Sequence, residues 1–199
     1  RIIRLMQITS NPLLLDEKYD QETNKVKKLK EIVENISDKN EKCIIWTSYK
    51  LNINYLSSKL ANFSPVVLHG SLNLVRRNKN VSKFLKNDLV KVLIATPQSS
   101  KEGLTLTVAN HCIYFDRTLS LDDYLQSQDR IHRIGQAKEC FYYNLIIDDT
   151  IDNWVDELIE AKELFAKLSL GDISLKEFRN KISYDYGNII REILKTNER

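Results

Sequence analysis

The chain has 199 residues, of which 42% are hydrophobic and 29% charged. That is the mix of a globular protein with a sizeable core, at the length of one domain with an extension or of two small units. The formal net charge of +3 does not announce a nucleic-acid partner for the molecule as a whole. No apolar run approaches the roughly 18–20 residues of a membrane span, and "RIIRLMQITS" has no signal-peptide pattern.

The start at Arg1 rather than at a methionine reads as a fragment or a processed product. Val26, Leu29, Ile32, Val33 and Ile36 then fall at helical spacing. "CIIWT" (43–47) is a continuous apolar run of the kind buried on both faces of a parallel sheet. Ile53, Leu56 and Leu60 return to helical spacing, and "PVVLH" (65–69) is a second strand. Val75, Val81, Phe84 and Leu85 form a less regular helical face before a third strand, "KVLIAT" (91–96). "HCIYFD" (111–116) and "CFYYNLII" (140–147) are further strands, with a helix expected from about Leu121 to Arg133 between them. Alternation of this kind argues an α/β sheet with right-handed crossovers.

From Asp148 onward the pattern is helical. Ile151, Trp154, Val155, Leu158, Ile159, Leu164 and Phe165 share a spacing, and Gly171 ends it. Asp172 or Ser174 would cap a further helix carrying Leu175, Phe178, Ile182, Ile189, Ile190 and Ile193. Cys43, Cys112 and Cys140 lie far apart among apolar neighbours, and the three histidines have no metal-ligand spacing with them. Buried thiols are expected, and no metal site.

Charge is unevenly spread. Arg76, Arg77, Lys79, Lys83, Lys86, Lys91 and Lys101 face the single anion Asp88, a stretch suited to phosphates. Between Asp148 and Glu163 the acidic residues Asp149, Asp152, Asp156, Glu157 and Glu160 dominate, and would repel phosphates. In an open parallel sheet, ligands bind beyond the carboxyl ends of the strands. The segments there are "TSYK", "HGSLN" and "TPQSSKEGLTLT". Their hydroxyls and backbone N–H groups suit phosphate oxygens, although such residues are also what ordinary turns contain.

"KCIIWTSY", "VVLHGSLNLVRRNKNVSKF", "VLIATPQSSKEGLTLTVANHCIYFD" and "YLQSQDRIHRIGQ" occur in that order. Together they resemble the second RecA-like lobe of superfamily-2 helicase-type ATPases, and within them the Swi/Snf group of DNA translocases. "QSQDRIHRIGQ" is the most specific part. The resemblance covers about residues 24–147 and continues weakly into "DDTID"; "RLMQITSNPLLL" is similar to the segment that leads into this lobe from the first. It implies a RecA-like α/β domain, a mostly parallel sheet flanked by helices, with a helical C-terminal extension. The expected division is residues 1–21 as incoming interlobe segment, 22–147 as the lobe and 148–199 as the extension.

Residue by residue, the resemblance implies that Arg130 and Arg133 are arginine fingers toward the ATP γ-phosphate. On a helix they would share a face, being three apart. Gln126 matches the nucleotide-sensing glutamine, Gly103 the glycine near the nucleotide, and Asp129 is read as an orienting partner. Ser48, Gly70, Ser71 and Thr96 match positions that meet the DNA backbone, and Lys101 is a candidate further contact. Phe84 reads as core, while Arg77 stays open between structure and contact. The family's "AGGLGLN" reads "SSKEGLT" here, with Lys101 and Glu102 in place of small or apolar residues and Thr105 where Asn is common.

No G-x-x-x-x-G-K-[ST] occurs, nor an apolar strand ending in a DExx box. These parts cradle ATP and hold Mg²⁺, and in the family they belong to the first lobe. The expected function is therefore the second motor lobe of an ATP-driven translocase on double-stranded DNA, inactive alone and completed by an N-terminal lobe of the same polypeptide. A strand-separating or RNA-directed helicase and a non-catalytic binding platform stay open as alternatives, and so does the oligomeric state. The composition fits the cytoplasm of a bacterial or phage-infected cell, or the nucleus if the source is eukaryotic.

Overall fold

The computed structural model describes residues 1–100 and 103–181. Lys101 and the expected helical positions from Ile182 onward lie outside the described residues. In chain order the elements are α1 (Ile2–Ser10), α2 (Asn24–Asp38), β1 (Cys43–Trp46), α3 (Lys50–Lys59), β2 (Val66–Leu68), α4 (Leu74–Lys86), β3 (Val92–Ala95), β4 (His111–Tyr114), α5 (Leu121–Gln128), β5 (Phe141–Asn144), α6 (Ile151–Leu170) and α7 (Leu175–Lys181).

The strands form one five-stranded sheet in the order β2-β3-β1-β4-β5. Every neighbouring pair is parallel, with Cys43 opposite both Val92 and His111. Successive side chains on a strand point to opposite faces, so β1 divides cleanly between two cores. Cys43 and Ile45 pack with Val26, Leu29, Val33 and Ile36 of α2 and with Ile53 and Leu56 of α3. Ile44 and Trp46 pack on the other face with Leu68, Phe84, Leu93, Cys112 and Tyr114. Because helices cover both faces, the central strands can be apolar without interruption.

Local chemistry fixes the helix ends. The side chains of Thr23, Asn73 and Ser120 accept from Val26 N, Arg76 N and Asp123 N, capping α2, α4 and α5. Thr150 and Asn153 form a capping box at the start of α6, and Gly171 ends that helix with φ +80°, a left-handed conformation that favours glycine. Ser174 Oγ accepts from Glu177 N at the start of α7.

Two expectations are corrected. The helix expected to reach Arg133 stops at Gln128. Arg130 O accepts from Leu106 N at 2.9 Å, so a residue from the segment before β4 takes a carbonyl that a longer helix would use for itself. The fifth strand covers only 141–144 of the expected 140–147 and is not buried on both faces: Phe141 and Tyr142 are 39% and 38% exposed. Among the described residues it lies at the sheet edge with β4 as its single neighbour. Its aromatic residues Phe141 and Tyr143 stack on His111 instead of filling a two-sided core. Among the described residues, no helix is long and apolar enough to cross a membrane.

Candidate functional site

Parallel strands deliver all their carboxyl ends to one edge, so the segments that follow them must meet there. A cleft of about 210 Å³ at this edge is lined by Ser48 and Lys50 after β1, His69, Gly70 and Ser71 after β2, Thr96, Pro97 and Gln98 after β3, and Thr118 after β4. Four of the five sequence-derived DNA candidates, Ser48, Gly70, Ser71 and Thr96, therefore share one cleft. The fifth, Lys101, lies outside the described residues.

The cleft is polar and weakly cationic. Lys50 Nζ donates to Ser71 Oγ at 2.9 Å, tying the first two segments together. Ser48 Oγ and His69 Nδ1 are buried without a hydrogen-bond partner. Burial, and then the Lys50 charge, pull the His69 imidazole below its ordinary value. Gly70 has no positive φ, and a Cβ built on it meets nothing within 4 Å. Nothing inside the chain requires glycine there.

The basic stretch does not act as one surface. Arg76 and Lys79 are exposed on the first half of α4, which starts beside the cleft, whereas Lys83 and Lys86 are in its last turn. That end lies at the opposite edge of the sheet. Lys42, immediately before β1, donates there to Phe84 O and Asn87 O at 2.7 and 2.9 Å. Cations at a helix C-terminus favour the helix dipole. Arg77 donates to Ser99 O at 2.9 Å and so braces α4 against the segment after β3, while Phe84 is fully buried as expected. The acidic stretch is partly consumed internally, with Asp152 paired to Lys25 at 2.6 Å and Asp156 paired to Arg117.

The nucleotide candidates lie apart from the cleft's lining. Arg130 and Arg133 sit in the turn after α5, not on a shared helical face. They nevertheless converge on one segment. Arg130 Nη1 donates to Leu104 O at 3.4 Å, and Arg133 Nη1 donates to Gly103 O at 3.2 Å and to Thr105 Oγ1 at 2.8 Å. Thr105, standing where the family commonly has Asn, thus supplies an acceptor to an arginine. Gly103 adopts φ +68° and Gly135 φ +100°, so both turns are built on conformations that L side chains rarely adopt. Gln136 holds the turn shut, its Nε2 donating to Thr107 O, Ala109 O and Ile131 O at 3.2, 2.9 and 3.2 Å.

The two arginines are not equivalent. Arg133 is exposed, whereas Arg130 is only 5% exposed, with its Nε buried and unpartnered. Burial, then the Arg133 charge, lower the Arg130 guanidinium from its ordinary value, and Asp129 opposes them. Asp129 therefore acts on Arg130 through charge. Gln126 is exposed on α5.

Mg²⁺ takes oxygen ligands, one or two of them carboxylates. The arginine turn presents guanidinium donors, and no group of three metal-ligating side chains stands together among the described residues. Guanidinium donors of this kind are not ligands for Mg²⁺.

Lys50, His69, Gln98 and Thr118 also line the cleft, beyond the sequence-derived candidates. The first three fall inside the quoted polar segments. Thr118 carries no sequence signal and joins the cleft only because β4 runs parallel to β1.

Residues 24–135 match the family model described as the helicase conserved C-terminal domain. The chain is 33% identical over 168 residues to the putative ATP-dependent helicase/translocase YwqA of Bacillus subtilis, covering 80% of this chain and 18% of that protein. It is 28% identical over 151 residues to the ATP-dependent helicase fft3 of Schizosaccharomyces pombe, covering 75% of this chain and 16% of that protein. The chain thus spans less than a fifth of these relatives. Among solved structures it resembles the Sulfolobus solfataricus SWI2/SNF2 ATPase core in complex with dsDNA, with a TM-score of 0.67 and 29% identity, covering 92% of this chain and 41% of that one.

Proposed function

Since the chain belongs to the helicase conserved C-terminal domain family and is a Swi2/Snf2-type lobe, we propose that it is the second motor lobe of an ATP-driven translocase on double-stranded DNA. The reading rests chiefly on one observation: the lobe carries two separate constellations, a polar cleft at the strand ends and a pair of converging guanidinia. The cleft takes the DNA backbone. Hydroxyls, an ammonium and backbone N–H groups contact phosphates without reading bases, so binding is insensitive to sequence and steeply salt-dependent.

The arginines serve ATP. A planar, permanently charged guanidinium suits charge spread over phosphoryl oxygens in the transition state. Arg133, exposed and held by Gly103 O and Thr105 Oγ1, is the finger that reaches the γ-phosphate. Arg130 lies beneath it and sets the 103–105 segment while adding positive potential. Gln126 senses the nucleotide from α5. The P-loop and the Mg²⁺ carboxylates are supplied by an N-terminal lobe of the same polypeptide. Closure of the two lobes on ATP completes the site and steps the cleft along the DNA.

The test compares the full-length protein with residues 1–199 alone. The full-length protein hydrolyses ATP faster with duplex DNA and displaces a bound third strand from a duplex without separating its strands. The isolated chain hydrolyses none above background. Robust Mg²⁺-dependent turnover by residues 1–199 contradicts the lobe assignment, and efficient strand separation favours a helicase instead.

A further inference from the structure

A buried polar network joins α1 to the cleft. Asp116, just past β4, accepts from four groups on α1, α3 and the segment between β1 and α3. Its Oδ2 takes Ser10 Oγ at 2.8 Å, Thr47 Oγ1 at 2.6 Å and Asn52 Nδ2 at 3.1 Å, and its Oδ1 takes the backbone N–H of Ser48 at 2.6 Å. Asn52 donates also to Ser10 Oγ at 2.8 Å and accepts from Asn11 Nδ2 at 3.0 Å. Ser10, Asn11, Thr47 and Asn52 are all at most 1% exposed. Ser48, held by this carboxylate, lines the cleft.

The other end of the network is unusual in how it is anchored. Ile2, Ile3, Leu5 and Ile8 of α1 are 39%, 69%, 51% and 48% exposed and Met6 is half-buried, so apolar burial seats the helix only in part. Polar bonds at its C-terminal end do much of that work: Ser10 and Asn11 into the Asp116 network, and Thr9 Oγ1 to Asp152 Oδ1 at 2.7 Å. Hydrogen bonds are directional and fail over fractions of an ångström. A helix seated this way is either latched or not, and discrete arrangements of this kind carry coupling between sites.

We propose that Asp116 is a positioning residue that couples the seat of α1 to the cleft: the carboxylate that latches Ser10 also orients the Ser48 segment for the DNA backbone. A displacement of α1 withdraws one ligand of the carboxylate, and the Ser48 amide loses its fixed acceptor. Asp116 touches neither DNA nor nucleotide in this scheme. The inference rests on the reading of the cleft as the DNA site.

Full-length protein carrying Ser10→Ala and, separately, Thr9→Val tests it. Both loosen α1, but only the first removes a ligand of Asp116. Turnover is measured without DNA and against duplex concentration. Ser10→Ala is expected to raise the DNA concentration for half-maximal stimulation about fivefold or more, the lower end of typical coupling, with DNA-free turnover unchanged. Thr9→Val, which loosens α1 but leaves Ser10 able to reach the carboxylate, is expected to raise that concentration by a clearly smaller factor. An unchanged concentration in Ser10→Ala, or an equal shift in Thr9→Val, overturns the coupling and leaves these bonds as mere anchors. Should Ser10→Ala fail to fold, Ser10→Cys, of similar shape but a weak donor, is held to the same two criteria. Wild-type turnover that DNA does not stimulate overturns the DNA reading itself, and this inference with it.

Discussion

The strand-end cleft and the arginine turn are built on opposite plans. The cleft collects nine residues from four separate segments because parallel strands must end together. Its groups are mostly hydroxyls and amides, with Lys50 as the cation that ties two segments. The arginine turn is one short contiguous stretch in which two guanidinia meet one facing segment. A site spread over many weak contacts tolerates the loss of any one of them, whereas a site concentrated in two charges does not. The difference predicts large, selective effects in the turn and small, distributed effects in the cleft.

The largest effect is expected at Arg133. In the full-length protein Arg133→Ala should cut DNA-stimulated turnover by on the order of 10³-fold, as for arginine fingers. Lysine should rescue poorly, lacking the planar fork. Since Arg133 is exposed, thermal stability should move by no more than about 0.5 kcal/mol. Arg130→Ala should also cripple turnover, but its side chain is buried. It should cost on the order of 1–3 kcal/mol in denaturant melts, and equal melts for the two alanine variants would erase the distinction drawn between them.

Cleft variants should be milder. Lys50→Ala should weaken duplex binding similarly for all sequences and lower the salt slope by about 1, while turnover at saturating DNA persists. Gly70→Ala should be smaller still. It should leave the melt unchanged, because its φ is ordinary and the added Cβ meets no neighbour, and should reduce DNA affinity modestly by crowding an approaching phosphate.

Glu41 serves as a control that bonds neither to the cleft lining nor to the two arginines. The His111 ring, foremost, then Lys138 and Asn110 hold its carboxyl well below the ordinary 4.5, at about 2, against the opposing cost of burial. The folded value is depressed, so its stabilisation is fully present above about pH 4.5 and is lost as pH falls toward 2. Melts across that window should show a loss that Glu41→Gln flattens, with turnover and DNA affinity at neutral pH unaffected.

Much of this architecture was legible because burial leaves a periodic trace. Ile44, Ile45, Leu93 and Ile94 announce strands covered on both faces, and Val26, Leu29, Val33 and Ile36 a helix with one buried face. Where one partner is missing the trace misleads: Phe141 and Tyr142 look like core residues but lie on an edge strand. The early end of α5 was illegible for a different reason. "DRIHR" continues a helical pattern well enough, and the break comes with Leu106 N, a distant group, and Gln136 Nε2, five residues on, which take carbonyls in this turn. The cleft candidates and the arginines are both carried by the family resemblance, since the polar segments alone are what ordinary turns contain. The convergence of Arg130 and Arg133 on Gly103–Thr105 and the Asp116 network had no local signal, since each joins residues separated by a strand or more.

The separation of the two regions is tested most directly by one paired titration. Full-length Arg133→Ala and Lys50→Ala are each titrated with duplex DNA while both bound DNA and ATP turnover are read. The expected result is a crossed pattern. Arg133→Ala binds nucleotide-free DNA with wild-type affinity and turns over on the order of 10³-fold more slowly, and Lys50→Ala binds more weakly and reaches near wild-type turnover once saturated. Wild-type turnover in Arg133→Ala, with DNA binding lost instead, would contradict the assignment of the turn to ATP and the cleft to DNA.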